Sequence, residues 1–214
     1  MAKIQLRHPL LIMLYGFPGS GKTLFARNMC NTLHATYIGG DRIRSELFEK
    51  PRYDKAEDSV VNHIIEYMAE EFLNAGVSVV LDVNAHKAGH RRHLRDLAKI
   101  HKAHTLLVWF QVDADTAFSR LASRDRRHLD DKYSRQYDRT QFDSYVATMQ
   151  HPGNEDDGVV LSGKHSFLMQ RSSVLRKLFD MNLVSADDIS SNVVKPGMVN
   201  LVPANRDKRN IHIR

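Results

Sequence analysis

The chain has one cysteine, Cys30, so no disulfide can form within it. That suits a reducing compartment and leaves packing to hold the fold. Cys30 falls in an apolar helical stretch and reads as a packing residue rather than a reactive thiol. No apolar run approaches a membrane span, which argues against a membrane role. Residues 10–15 are too short for a signal-peptide core and run straight into a glycine-rich loop. A cytoplasmic protein with no membrane partner is therefore expected. Internal repeats and low-complexity tracts are missing, which excludes solenoids and extended linkers. Asn-Lys-x-Asp, which reads guanine, does not occur, and no Asp-x-x-Gly follows the third strand, which ends LDVN. A GTPase-type switch is disfavoured on both counts.

The chain is otherwise ordinary for a soluble globular protein, with 42% hydrophobic and 26% charged residues. Its 214 residues fit one domain with an appendage. A formal charge of +6 favours anionic ligands, and nucleotides satisfy that as well as nucleic acid does.

The organising stretch reads LLIMLY, then GFPGSGKT, then LFARNMCNTL. Six apolar residues predict a buried strand. Gly16, Phe17, Pro18, Gly19, Ser20, Gly21, Lys22 and Thr23 fill the spacing G-x-x-x-x-G-K-[ST] of a phosphate-binding loop. Leu24, Phe25, Met29 and Leu33 follow at helical spacings. The order has a physical reason. Glycines let backbone N–H groups turn inward around a phosphate, and the helix N-terminus adds positive potential. Lys22 can reach the β- and γ-phosphates of ATP, and the Thr23 hydroxyl can ligate Mg²⁺.

Strands at 35–38, 77–83, 105–112 and 158–161 alternate with helices at 58–75, 90–102, 113–127, 140–150 and 166–181. A shorter helical turn is read at 45–50. This alternation predicts an α/β fold: a P-loop NTPase with a five-stranded parallel sheet flanked by helices. Residues 120–139 carry Arg120, Arg124, Arg126, Arg127, Lys132, Arg135 and Arg139 against four aspartates, with few apolar anchors. They read as a charged, mobile lid. The kinase domain is set at 1–183, with the lid at about 120–139 and a C-terminal extension at 184–214.

Four stretches resemble P-loop kinases of the polynucleotide-kinase and zeta-toxin kind, the AAA_33 type. They are GFPGSGKT, GGDRIRSEL with its Asp-x-x-Arg, VVLDVNAHKAGHRRHL with Asp-x-Asn and paired arginines, and SRLASR. The resemblance covers roughly residues 10–150 and implies a nucleoside-monophosphate-kinase-like core. It implies transfer of the γ-phosphate of Mg·ATP to a hydroxyl of a phosphorylated or nucleotide-like acceptor. A polynucleotide 5′-hydroxyl, a nucleotide-sugar and another small molecule all remain open, so nucleic acid stands as a possible substrate. It also implies that Asn84, Arg91 and Arg92 line the acceptor pocket.

The residues point the same way. Asp41 leaves the second strand beside the phosphate loop and is the candidate general base; a helix N-cap is the alternative. Arg44, three residues on, shares its face and can hold the acceptor or its phosphate; an ion pair is the alternative. Asp82 ends the third strand, where an acidic residue often orders Mg²⁺. Arg120 and Arg124, four apart, share a helix face and can converge on the transferring phosphate, with Arg126 in reserve. His86, His90 and His93 read as a polar helix face. Ser162 and Gly163 abut the adenine edge or form a simple turn. Two competing functions are a nucleotide-binding regulatory ATPase and a nucleic-acid-binding module without kinase activity. Oligomeric state leaves no mark in the sequence.

Overall fold

The computed structural model describes residues 3–125, 131–153 and 155–188. Its spine is strand β1 (Leu10–Tyr15), every residue of which is buried. Such a strand reads as a continuous apolar run because both of its faces are covered. Leu10, Ile12 and Leu14 join one core with helix α1 (Lys22–Thr32) and helix α7 (Phe167–Asp180). Leu11, Met13 and Tyr15 join the opposite core with α3 (Lys55–Asn74) and α4 (Ala88–Ile100). The sheet is therefore sandwiched between helix layers.

The remaining strands are β2 (Ala35–Gly39), β3 (Ser78–Asn84), β4 (His104–Gln111) and β5 (Gly158–Ser162), and every pairing is parallel. Their order is β2-β3-β1-β4-β5. The sequence reversal lies beside β1, where ligands bind in open α/β sheets. Between β1 and β3 the register breaks: Met13 faces Leu81, but Leu14 faces Asn84. Asp82 is instead paired with Gly39 on β2.

Helix α2 spans Gly40–Leu47, earlier than the turn expected at 45–50. Asp54, Asp113 and Asp138 cap α3, α5 (Ala114–Ala122) and α6 (Arg139–Ala147), each accepting from a backbone N–H three residues on. These aspartates therefore precede their helices, as N-caps do. Leu183 and Val184 are buried in the core with Ile4 and Leu6, and the Arg7 N–H donates to the Leu183 carbonyl. The proposed domain limit at 183 thus falls inside this packing. Arg126 and the extension from 189 onward lie outside the described residues.

Candidate active site

The phosphate loop leaves β1 at Gly16 and enters α1 at Lys22. Gly19 sits at φ +85°, and a Cβ there would run into the Ala117 carbonyl, so both conformation and space demand glycine. Gly163, after β5, is also close, though less so: a Cβ would lie 2.9 Å from the Ser20 carbonyl. Lys22 Nζ donates to the Gly16 and Phe17 carbonyls at 2.8 and 2.7 Å. Burial pushes its pKa down to about 8, with Asp82 opposing, Arg124 assisting and Asp41 opposing.

Two cavities flank the loop. One, about 460 Å³, runs from Gly19–Thr23 past Arg120 to Gly163 and Gln170. The other, about 240 Å³, is lined by Lys22, Asp41, Arg44, Asp82 and Asn84. Gly19, Thr23 and Arg124 line both and form their common wall. A larger hollow of about 520 Å³ lies among Tyr15, Phe17, Trp109 and His151. It touches none of Lys22, Thr23, Asp41 or Asp82, so it is not where their chemistry converges.

Asp41 lies in the first turn of α2, and Gly39 is the N-cap, so the capping alternative does not describe it. One face of the Asp41 side chain meets solvent, but the cleft walls crowd the carboxyl. That crowding raises its pKa, and Asp82 adds to the rise. The Arg135 backbone N–H, then Arg124 and Arg44, pull against it. Asp82 accepts a 2.8 Å hydrogen bond from Tyr37 Oη.

Thr23 and Asp82 line the same cavity and offer hard oxygen donors. Mg²⁺ is usually held by one or two such groups together with substrate phosphates, so the pair fits that ion.

Asn84 lines the smaller cavity, and the register break also sets it against the loop. Its Oδ1 accepts from Gly16 N–H at 3.2 Å, and its Nδ2 donates to Tyr145 Oη at 3.0 Å. Arg44 takes the ion-pair alternative. Its guanidinium is buried, bound to Glu57 at 3.1 Å and to Asp58. It also stacks 4.9 Å from the Tyr53 ring centre. Two carboxylates occupy it, so Arg44 shapes the pocket wall rather than offering a free charge.

The expectation that Arg91 and Arg92 line the acceptor pocket needs correction. Arg91 lies under the sheet with its side chain 1% exposed. It pairs with Asp156 at 2.9 Å and donates to the carbonyls of Ala85, Gln150 and His151. All of its capacity serves to anchor the segment between α6 and β5. Arg92 is exposed and lines neither cavity beside the loop. The histidines also separate: His86 and His90 line the smaller cavity, while exposed His93 meets Glu66 at 3.3 Å. Arg120 donates to the Gly163 carbonyl at 2.8 Å, and Arg124 meets Asp131 at 3.2 Å.

Sequence reasoning missed the aromatic wall. Arg135 lies 4.3 Å from the Tyr53 ring and 4.6 Å from the Tyr137 ring, and Tyr145 adds a hydroxyl. Among the described residues no carboxylate pairs with the Arg135 guanidinium. Tyr137 also packs against the cluster of Ala117, Leu121 and Phe142, an apolar anchor for a region expected to have few. The signal available was the recurrence of tyrosine among the arginines of residues 133–145.

An all-parallel sheet with this strand order, a glycine-rich turn between β1 and α1, and Lys22-Thr23 opening the helix define a P-loop NTPase fold. The sequence profile of AAA_33, described as an AAA domain, matches residues 11–152. The chain belongs to that family. No curated protein matches it in sequence. Among solved structures it is similar to a sugar kinase from Janibacter sp. HTCC2649, with 14% identity over 91% of this chain and 100% of that one, TM-score 0.55. A gluconokinase from Sinorhizobium meliloti 1021 has 18% identity over 81% of this chain and 93% of that one, TM-score 0.57. The APS kinase of Mycobacterium tuberculosis, in complex with AMPPNP and APS, has 18% identity over 80% of this chain and 98% of that one, TM-score 0.55. Likeness at these identities speaks for the fold. Among the described residues no helix is long and apolar enough to cross a membrane.

Proposed function

We propose that the protein is a phosphotransferase that moves the γ-phosphate of Mg·ATP to a hydroxyl of a phosphorylated or nucleotide-like acceptor. The observation that carries this reading is the wall of Gly19, Thr23 and Arg124 shared by the two cavities. Donor phosphates lie on the loop side and the acceptor on the Asp41 side, so the transferring group crosses that wall.

In the step, the acceptor oxygen bonds to the γ-phosphorus while the bond from phosphorus to the bridging oxygen breaks, releasing ADP. The hydroxyl proton passes to the Asp41 carboxylate. Lys22 and Arg124 hold the charge of the transferring group, which is where phosphoryl transfer is mainly assisted. Thr23 and Asp82 would hold Mg²⁺, which would supply further charge neutralisation to the donor phosphates. With Arg44 neutralised by its two carboxylates, Arg135 is the guanidinium left for an anionic group on the acceptor. Tyr53 and Tyr137 hold it in a fixed plane.

The test is a screen of hydroxyl-bearing acceptors with γ-labelled ATP, oligonucleotides and nucleotide-sugars included, run beside the Lys22→Ala and Asp41→Asn variants. Label on an acceptor hydroxyl, lost in both variants, is expected. Label that reaches only inorganic phosphate across the whole set would point instead to a regulatory ATPase.

A further inference from the structure

The 460 Å³ cavity has a phosphate end at Gly19, Ser20, Gly21 and Thr23 and a far end built by Gly163, Lys164 and His165 after β5 and by Phe167 and Gln170 of α7. A base attached to a triphosphate on the loop reaches that far end. Gly163 N–H donates to the Gln111 carbonyl at 2.8 Å and His165 N–H to the Ser162 carbonyl at 3.2 Å. Lys164 N–H donates to Ser162 Oγ at 3.2 Å. The Gly163 and Ser162 carbonyls accept from Arg120 and Gln170, so side chains at this end can take part in reading a base edge.

Gln170 is the side chain placed for this. It is 8% exposed and lines the cavity. Its Nε2 donates to the Ser162 carbonyl at 2.9 Å. That bond fixes the amide, because a flipped amide would set oxygen against oxygen. Oε1 is thereby turned away from Ser162 and toward the cavity, and no described residue donates to it. Oε1 is not sealed from solvent, so water can reach it, and a ligand N–H entering the cavity can take that water's place. Across the site, the hydrogen bond from Arg120 to the Gly163 carbonyl holds a planar guanidinium against the same cavity. Such a plane stacks on an aromatic base.

We infer that Gln170 is a specificity-determining residue for the donor nucleotide, its Oε1 accepting from the 6-amino group of adenine. Guanine presents a 6-oxo acceptor at that point, and oxygen would then face oxygen. The inference rests on the proposed role of this cavity as the nucleotide site and adds the choice of base to it.

Calorimetric affinities of the full chain for ATP, purine riboside 5′-triphosphate, GTP and inorganic tripolyphosphate test it, with Gln170→Met alongside. Purine riboside triphosphate lacks only the amino group. Wild type should bind ATP about tenfold or more tighter than either competitor, the range expected for a buried hydrogen bond left unmade. Gln170→Met should erase the gap between ATP and purine riboside triphosphate while leaving tripolyphosphate affinity unchanged. Equal wild-type affinities for those two nucleotides, tighter binding of GTP, or a gap that survives in Gln170→Met overturns the inference. Gln170→Leu carries the same comparison if Gln170→Met folds poorly. Failure of wild type to bind any triphosphate or tripolyphosphate overturns the nucleotide-site reading itself, whereas binding without base preference overturns only the role of Gln170.

Discussion

Tyr37 donates its phenolic hydrogen to Asp82, 2.8 Å away across the β2–β3 pair. Burial, together with the charge and hydrogen bond of Asp82, holds the phenol well above its ordinary pKa, so it remains a donor. The bond fixes one oxygen of the proposed metal ligand and aims the other. Tyr37→Phe is expected to raise the Mg²⁺ concentration needed for half-maximal ATP binding by about tenfold or more, as loss of outer-sphere partners does. Gly39→Ala should act in the same direction, because its Cβ would sit 2.5 Å from the Tyr37 hydroxyl. Magnesium titrations of ATP binding by calorimetry decide the matter, and an unchanged requirement in both variants would remove Asp82 from the metal site.

Lys22 gives a pH prediction for donor binding. Its pKa is brought down to about 8, chiefly by burial. A bound triphosphate favours the ammonium form, so binding takes up a proton wherever free Lys22 is neutral. ATP affinity should fall as pH rises through about 8, approaching about tenfold per unit above it. Lys22→Arg stays charged throughout and should flatten the profile. Titrations in buffers of different ionisation enthalpy count the proton, and none taken up near pH 9 would contradict the assignment.

Asp41 carries the reaction class. Asn keeps its size but cannot accept a proton. Asp41→Asn should leave folding and ATP affinity nearly intact while turnover falls by roughly 10²–10⁴-fold. A base must be ionised, so wild-type turnover should fall as pH drops through the Asp41 pKa. That pKa is raised, so the fall should begin at higher pH than for an ordinary aspartate. A variant that melts early yet keeps its turnover per folded molecule would move the base to Asp82.

Arg91 is expected to matter for stability. Arg91→Met leaves buried Asp156 with Arg95 as its remaining partner and takes a donor from the carbonyls of Ala85, Gln150 and His151, so it should cost about 3 kcal/mol in denaturant unfolding. Arg92→Ala, on the exposed face, should stay within about 0.5 kcal/mol of wild type. A stable Arg91→Met variant with weakened acceptor binding would return Arg91 to the site.

The phosphate loop and the five-stranded parallel sheet were legible because they rest on local spacing and on the alternation of strands with helices. The glycines, Lys22 and Thr23 are contiguous, and β1 declares its two buried faces by having no polar residue. Asp41 and Arg44 were placed on one face correctly, but the partners of Arg44 could not be read. Glu57 and Asp58 belong to the next helix, and only its packing brings them to the guanidinium. Arg91 failed for a similar reason. In the chain it stands beside Arg92 and looks equally exposed, and only the helix phase and the distant Asp156 bury it. The tyrosine wall went unread because single tyrosines among charges have no period. Residues 152–214 match no motif that names a substrate, and those from 189 onward lie outside the described structure.

The register break between β1 and β3 has one more implication. A ladder continued without interruption would set Leu14 opposite Asp82 in place of Asn84, a slip of two residues. Side chains alternate with period two, so such a slip returns each one to its own face of the sheet. Leucines and valines would still meet the helices, and hydrophobic burial would hardly distinguish the two pairings. The active cleft would distinguish them at once, since Asn84 would leave the Gly16 N–H. Melting temperature is thus nearly blind to whether the strand has settled in the right notch, and phosphoryl transfer is the measurement that sees it.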